Sequence, residues 1–315
     1  MRRTLLAAAL LLSATAAWAA TEDTIKRGFN VSDGGTLTLD ADVGDVKVVA
    51  GGSGVAVEIH RRARNADDLK EHEVTFAQNG NDVTIKGERE RSWFRTDWNF
   101  DVQWNIRVPK HFNVKLHTSG GDIDLTDLDG TVDADTSGGD VSAGRISGPA
   151  TLKTSGGDID VKLARGNVVA KTSGGDITVG DSDGTVEART SGGEITLSRV
   201  GGDVYARTSG GGIKIEEASG TVDASTSGGS ITARLARQPR GDSKLSTSGG
   251  SVTVWLASGI GVDLDAHSSG GDVTSDIPVT VLGKMDEDTV RGKVAGGGPK
   301  LVLRTSGGGV RVKQM

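Results

Sequence analysis

The sequence predicts an all-β protein built as a parallel β-solenoid, a β-helix or β-roll in which each 18-residue rung contributes two strands. Two observations lead to this prediction. The tetrapeptide Thr-Ser-Gly-Gly recurs at a fixed interval of 18 residues, and each copy carries apolar residues at alternate positions, the period of a β-strand. Copies at this interval begin at Thr118, Thr136, Thr154, Thr172, Thr190, Thr208 and Thr226.

Each copy contains two strands separated by glycine turns. The first apolar column follows the Gly-Gly pair and contains Ile123, Val141, Ile159, Ile177, Ile195, Ile213 and Ile231. A second column follows the next glycine and contains Val132, Ala150, Val168, Val186, Val204 and Val222. An antiparallel meander would also alternate strands and turns, but it tolerates hairpins of variable length. Stacking at about 4.8 Å requires the same residue above the same residue, so the fixed interval favours the solenoid.

The repeat region is predicted to cover residues 118–315, preceded by a less regular N-terminal capping region over residues 20–117. Residues 66–74 have the pattern of a helix, and Asn79-Gly80 marks a hairpin turn. From Trp98 to Val108 apolar residues strictly alternate. We expect this strand to close the open end of the solenoid, and the alternative is an aromatic platform for a glycan or a peptide.

The first 19 residues have the features of a secretory signal peptide. Arg2 and Arg3 form its positive end, an apolar stretch follows, and small residues lead to a cleavage site after Ala19. The sequence therefore predicts an exported protein, periplasmic or secreted to the cell surface, with no membrane span in the mature chain.

Composition excludes several classes of function. The chain has no cysteine, which excludes disulfides and zinc–thiolate sites. Its formal net charge is −6, and removal of the signal peptide makes it more negative, so nucleic acid is a poor partner. The 48 glycines lack the every-third-residue period of collagen, and we expect them in turns.

Two rows of charge are predicted on the solenoid surface. The acidic row contains Asp122, Asp140, Asp158, Asp176 and Glu194, and the basic row contains Lys153, Lys171, Arg189 and Arg207. We expect Lys171 and Asp176, and their equivalents in neighbouring copies, to pair across a turn. The alternative is a calcium-binding β-roll, but the calcium-binding repeats carry a second glycine and aspartate that are absent here.

Two further patterns have structural interpretations. The alternation that includes Val132 and Ala134 places Thr136 inward or at a corner, so the threonine column is not an exposed ice-binding face. An Arg-Gly-Asp tripeptide spans Arg240 to Asp242, and we interpret it as a chance occurrence.

The sequence carries no catalytic signature. Its 5 histidines show no metal-ligand spacing, and no cofactor or metal site is predicted. A polysaccharide-acting β-helix enzyme is the less favoured alternative. The candidate contacts for a partner are Trp93, Phe94 and Arg95, because two large aromatic side chains stand there in a charged loop.

The chain resembles a bacterial family of exported, glycine-rich β-solenoids called adhesins. The segments that carry the resemblance are GGTLTLDADVGDVKV, VPKHFNVKLHTSGGDIDL, the TSGGDI-like copies and the ending GGGPKLVLRTSGGGVRV. The resemblance implies a solenoid fold and a cell-envelope location, and it offers no catalytic residues. We therefore expect a non-enzymatic scaffold whose partner is an unknown protein or glycan of the cell envelope.

Overall fold

The computed structural model describes residues 21–89, 100–281 and 286–315. The predicted signal peptide, residues 1–19, and the predicted contact residues Trp93, Phe94 and Arg95 lie outside the described residues. The first part of the chain forms β1 (Thr21–Phe29), β2 (Thr36–Ala41), β3 (Asp45–Ala50), β4 (Val55–Ala63), α1 (Ala66–Lys70), β5 (His72–Asn79), β6 (Asp82–Arg89), β7 (Asp101–Val108) and β8 (Asn113–Thr118).

The remaining described elements are all strands. The regular repeats contain β9 (Ile123–Leu125), β10 (Val132–Thr136), β11 (Val141–Ile146), β12 (Ala150–Lys153), β13 (Ile159–Ala164), β14 (Val168–Lys171), β15 (Ile177–Ser182), β16 (Val186–Arg189), β17 (Ile195–Val200), β18 (Val204–Arg207), β19 (Ile213–Ala218), β20 (Val222–Thr226) and β21 (Ile231–Leu235). The C-terminal part contains β22 (Ser243–Thr247), β23 (Val252–Leu256), β24 (Val262–Ser268), β25 (Val273–Ser275), β26 (Val279–Val281), β27 (Thr289–Val294), β28 (Lys300–Thr305) and β29 (Val310–Gln314).

These strands form two sheets, and successive strands of the repeats alternate between them. Sheet I has the order β1-β4-β7-β3-β9-β11-β13-β15-β17-β19-β21-β23-β29-β25. Sheet II has the order β26-β27-β24-β28-β22-β20-β18-β16-β14-β12-β10-β8-β2-β6-β5. In the central rungs the parallel partners are equivalent residues of neighbouring copies, such as Ile159 with Ile177 and Val168 with Val186. The predicted all-β parallel solenoid is confirmed.

The apolar columns fill the space between the two sheets. Ile177 and Ile195 of sheet I and Val186 and Ala188 of sheet II are all fully buried. Burial of one Ile or Val side chain stabilises the fold by about 1.5–3 kcal/mol. Since each column continues from rung to rung, every copy provides part of the apolar surface that its neighbours need.

The Gly-Gly corner is shaped by the rung before it. A Cβ atom added to Gly175 would lie 2.1 Å from the carbonyl oxygen of Gly157, so the second glycine is required by close stacking. The buried Thr172 completes this corner, because its hydroxyl donates a hydrogen bond to the same Gly157 carbonyl at 2.9 Å. The buried Thr136 makes the equivalent contact with Gly121, as its predicted inward position requires.

At the N-terminal end the spatial order of strands departs from the chain order. The rung made by β2 and β3 lies directly against β8 and β9, which begin the regular repeats. The next rung outward consists of β6 and β7. Beyond it, the antiparallel strands β4 and β1 extend sheet I, and β5 extends sheet II.

The strand expected to close the solenoid is instead part of its wall. β7 lies inside sheet I, where one of its edges pairs with β4 and the other with β3. Its Trp104 is fully buried, and the indole Nε1 donates a hydrogen bond to the carbonyl of Val43 at 3.0 Å. Trp98, at the start of the predicted strand, lies outside the described residues.

The predicted helix is shorter than its sequence pattern indicates. Asn65 caps α1 by accepting two backbone hydrogen bonds, and the helix ends at Lys70. The chain then enters β5, because pairing with β6 begins at His72. The predicted hairpin is confirmed: Asn79 pairs with Asp82, and Gly80 adopts a φ of +60° in the turn.

At the C-terminal end, the final two strands are inserted into the stack. β28 lies between β22 and β24 in sheet II, and β29 lies between β23 and β25 in sheet I. The last copy of the repeat, which begins at Thr305, is therefore the spatial neighbour of the copy at Thr247. The copy at Ser268 lies outside it. The order of the copies in the chain does not reveal that the last one lies between the other two, since the copies at Thr247, Ser268 and Thr305 have similar strand edges.

Candidate interaction surfaces

The acidic row connects neighbouring rungs through the backbone. Oδ1 of Asp158 accepts a hydrogen bond from the backbone N–H of Asp176 at 2.7 Å, and Asp176 does the same for Glu194 at 2.7 Å. Asp140 and Asp122 make the equivalent contacts one and two rungs earlier. These carboxylates therefore satisfy backbone donors at the corner, a role that their charge alone did not indicate.

The basic row pairs differently from the expectation. Lys171 and Arg189 both contact Oε1 of Glu187 at 3.0 Å, and these ion pairs replace the expected ones with Asp176 and Glu194. The reason is geometric. Glu187 lies on β16, whereas the acidic row lies beyond the Gly-Gly corner.

The remaining basic positions are on the same outer face of sheet II. Arg207 contacts Asp223 of the neighbouring rung at 3.1 Å. Lys153 is exposed and lies in register between Asp135 and Lys171. The face therefore presents a row of cations, part of which is neutralised by carboxylates on the same sheet.

The Arg-Gly-Asp tripeptide lies in the connection between β21 and β22. Arg240 is exposed, but Oδ1 of Asp242 accepts a hydrogen bond from the backbone N–H of Lys300 at 2.8 Å. The aspartate thus helps to hold the inserted C-terminal rung. This structural engagement fits the interpretation of the tripeptide as a chance occurrence.

A buried polar cluster lies under the start of β5. The His72 side chain is fully buried, its Nε2 is 3.5 Å from Oδ1 of Asp42, and its ring lies 5.1 Å from that of Phe100. Burial raises the pKa of Asp42, but the nearby His72 ring and the hydrogen bonds from Arg89 lower it by more, so the pKa lies below the ordinary aspartate value. The cluster is a buried connection between β2, β5 and β6.

A groove of about 580 Å³ crosses the outer face of sheet I near its N-terminal end. We call it the N-terminal groove; its outward-facing lining comes from β1, β4, β7 and β3. The residues that form this outward-facing lining are Lys26, Gly28, Lys47, Val49, Ala56, Glu58, Asn105 and Arg107. Cross-strand register places Lys26 beside Glu58, Glu58 beside Asn105, and Asn105 beside Lys47.

Four basic residues, Lys26, Arg27, Lys47 and Arg107, and one carboxylate line the groove, and the Arg27 guanidinium lies 5.9 Å from the centre of the Phe76 ring. Lys26 contacts Glu58 at 2.9 Å, and His60 contacts the same carboxylate oxygen at 3.1 Å. The hydrogen bond from Lys26 holds the pKa of Glu58 below its usual value, so this carboxylate is ionised at neutral pH. Lys47 and Arg107 are exposed. Within the described residues neither of them forms an ion pair.

Sequence reasoning missed this groove. Its cations lie on strands that are far apart in the chain, and none belongs to the repeated phrase. The alternating pattern of each strand did indicate that Lys47 and Arg107 face outward. What it could not indicate is that β7 pairs with β3, which brings the two side chains onto one surface.

Residues 21–89, 100–281 and 286–315 contain no group of three or more His, Cys, Asp or Glu placed to hold a metal ion. In the same ranges no helix has the length and apolar character that a membrane span requires.

Comparison with solved structures finds similar chains of low identity. A putative cell adhesion protein from Clostridium sporogenes is 13% identical, with 94% of this chain and 100% of the other covered and a TM-score of 0.24. A putative adhesin from Bacteroides fragilis is 12% identical, with 93% and 97% covered and a TM-score of 0.32. A putative lipid binding protein from Parabacteroides distasonis is 12% identical, with 93% and 97% covered and a TM-score of 0.40. TM-scores this low carry no argument about function.

Comparison with protein families is more informative. No curated protein matches the chain. One family, in contrast, matches it three times in overlapping segments, over residues 35–150, 109–204 and 149–313. These segments include the regular repeats and both irregular ends of the solenoid. The chain belongs to the Toastrack DUF4097 family.

Proposed function

We propose that this protein is an exported, non-enzymatic, adhesin-like scaffold that binds a protein or glycan of the cell envelope. The observation that carries the proposal is the division between core and surface. The interior is one continuous apolar core, and the charged side chains point outward from the two sheets. A rigid stack that presents regular polar rows is suited to binding through its surface.

The charged rows and the loop at residues 93–95 are the two proposed contact regions. Trp93, Phe94 and Arg95 stand in the chain between β6 and β7. Aromatic and arginine side chains are enriched among residues that dominate binding energy. The charged rows differ from these three residues in that several carboxylates of the acidic row also accept hydrogen bonds from backbone N–H groups at the corners.

A pull-down from cell-envelope extracts tests the proposal. The wild type is compared with the Trp93→Ala/Phe94→Ala double variant and with a control, Tyr205→Ala/Trp255→Ala, which removes aromatic surface from the two sheets. Circular dichroism must first show equal strand content in all three proteins. A partner that is lost only in the first variant would assign the contact to the loop.

Other outcomes are equally informative. A partner that all three proteins retain would move the contact to the charged rows, and the absence of any partner would contradict the adhesin-like function. Hydrolysis of envelope polysaccharide by the purified protein, abolished by a point substitution, would show that the protein is an enzyme. Export is tested separately by sequencing the mature N-terminus, which is expected to begin at Ala20.

A further inference from the structure

We infer that the N-terminal groove binds an anionic polysaccharide. The inference rests on the proposed function, because it names the chemical class of a glycan partner and the place where it binds. Four features of the groove support it: unpaired cations, a backbone that is already paired, a floor of small side chains, and a length that spans several strands.

Two of the groove cations are available to a ligand. Lys26 is held by Glu58, but Lys47 and Arg107 have no ion-pair partner among the described residues. The stem of Arg107 passes close to Gly52 in the turn after β3, because a Cβ atom added there would lie 3.1 Å from its Cγ. The exposed guanidinium of an arginine can donate two parallel hydrogen bonds to a carboxylate, sulfate or phosphate group.

The backbone under the charged face of the groove is already paired. β4, β7 and β3 have neighbours on both sides in sheet I, whereas β1 is its edge strand and, among the described strands, pairs only with β4. A peptide strand could add only at the free edge of β1, which lies away from the strands that carry Lys47 and Arg107. A ligand on this face must be held by side chains. A peptide gains much of its affinity by adding a strand at a sheet edge, which favours a sugar chain over a peptide as the occupant of the face.

The floor and the length of the groove suit a chain of sugar rings. Gly28, which has no side chain, and the small side chains of Ala56 and Val49 line the groove, so a sugar ring can approach the sheet closely. The groove crosses the four strands β1, β4, β7 and β3, which are three spacings or roughly 14 Å wide at about 4.8 Å per strand. A single small anion would occupy only the part beside Lys47 and Arg107, whereas a sugar oligomer can lie along the whole groove.

The positive charge of the groove is local. The whole chain has a formal net charge of −6, so nonspecific attraction of polyanions is not expected from the protein as a whole. Asp124 lies in register beside Lys47 on the next strand and limits the positive surface on that side. A polyanion is therefore expected to bind at this groove rather than along the solenoid.

The test measures binding of dextran sulfate and of neutral dextran of matched length to the purified chain at low salt. We expect saturable binding of dextran sulfate only. Lys47→Ala/Arg107→Ala should weaken it about tenfold or more, since each cation provides a charge-assisted contact. The matched control, Lys244→Ala/Arg311→Ala, removes one exposed lysine and one exposed arginine far from the groove and should leave the affinity unchanged.

Three results would overturn the inference. Equal binding of neutral dextran would show that charge does not matter, and equal losses in both double variants would show that the groove does not matter. Tighter groove-dependent binding of poly-glutamate, or of vesicles containing phosphatidylglycerol, would identify an acidic peptide or a lipid surface instead. Strand content by circular dichroism must be the same in every variant compared.

The inference and the proposed function can be refuted separately. If envelope extracts yield a partner but dextran sulfate binding does not depend on the groove, only the inference is wrong. If dextran sulfate binds through Lys47 and Arg107 but extracts yield no partner, the groove is an anion site and the adhesin-like function is wrong.

Discussion

The hydroxyl of Thr172 donates a hydrogen bond to the carbonyl of Gly157, which lies 15 residues earlier, in the corner of the preceding rung. The same contact joins Thr190 to Gly175 and Thr208 to Gly193. The repeated threonine therefore links rungs, and the repeated glycine permits the close approach that the link requires.

Replacing Thr172 by valine keeps the shape of the side chain but removes the donor. The Gly157 carbonyl then loses its partner in a buried place, and we expect the free energy of unfolding to fall by about 1–2 kcal/mol. Urea denaturation measures this. Thr178→Val is the control, because Thr178 is exposed on β15. Equal stability of T172V and the wild type would contradict the role of the hydrogen bond.

Replacing Gly175 by alanine should separate two rungs. Its Cβ would lie 2.1 Å from the Gly157 carbonyl oxygen, and the resulting overpacking should cost about 1–3 kcal/mol. Gly120→Ala is the matched control, because a Cβ atom there meets nothing within 4 Å. Thermal unfolding compares the two variants, and a similar change in both would refute the stacking requirement.

Leu303 tests the inserted C-terminal rung. It is fully buried, and its in-register partners are Leu245 on one side and Ala266 on the other. We expect Leu303→Ala to destabilise the protein by about 2–5 kcal/mol, and the neighbouring outward Val302→Ala to have a small effect. If the rung lay at the end of the stack, L303A would be mild and hydrogen exchange would show no loss of protection in β22 and β24.

Asp265 connects three strands at the same end. It contacts Arg304 of β28 at 2.5 Å and Arg291 of β27 at 3.1 Å. Burial raises the pKa of Asp265, but the hydrogen bonds from Arg304 and Arg291 lower it by more. Because the folded pKa lies below the unfolded value of about 3.9, the stabilisation is fully present above pH 4 and is lost as the pH falls through the folded pKa.

The corresponding experiment compares unfolding at neutral and acidic pH. Asp265→Asn should be less stable than the wild type at pH 7, and the difference should vanish at low pH, where the wild-type carboxyl is protonated. Asp276→Asn changes an exposed carboxylate without an ion pair among the described residues and should show no such dependence. A stability difference that is constant with pH would exclude the ion pairs as its source.

Calcium should not alter the secondary structure. The acidic row uses carboxylate oxygens such as Oδ1 of Asp158 to accept backbone hydrogen bonds, and this arrangement is complete without a cation. Titration of calcium into metal-free protein, followed by circular dichroism, is expected to show no change. A transition from coil to strand would instead support the calcium-binding β-roll.

The regular rungs could be predicted in detail because the repeat specifies them locally. The alternation around Ile177 determines which side chains are buried, and the interval determines that Ile159 and Ile195 are its neighbours. The hairpin at Asn79-Gly80 was similarly local. The acidic row was harder to interpret, because a carboxylate next to a glycine corner can pair with a cation, bind a metal or accept a backbone hydrogen bond.

By itself, the sequence determined the solenoid, the content of its core and the inward threonines, since the alternation of apolar and polar residues specifies which side chains are buried. Only the tertiary structure decided the order of rungs at both ends, the position of β7 within sheet I, and the meeting of Lys47 with Arg107. The physical reason is that parallel rungs offer nearly equivalent edges to one another. Which strand occupies an edge depends on the paths of the whole chain, and local sequence does not encode them.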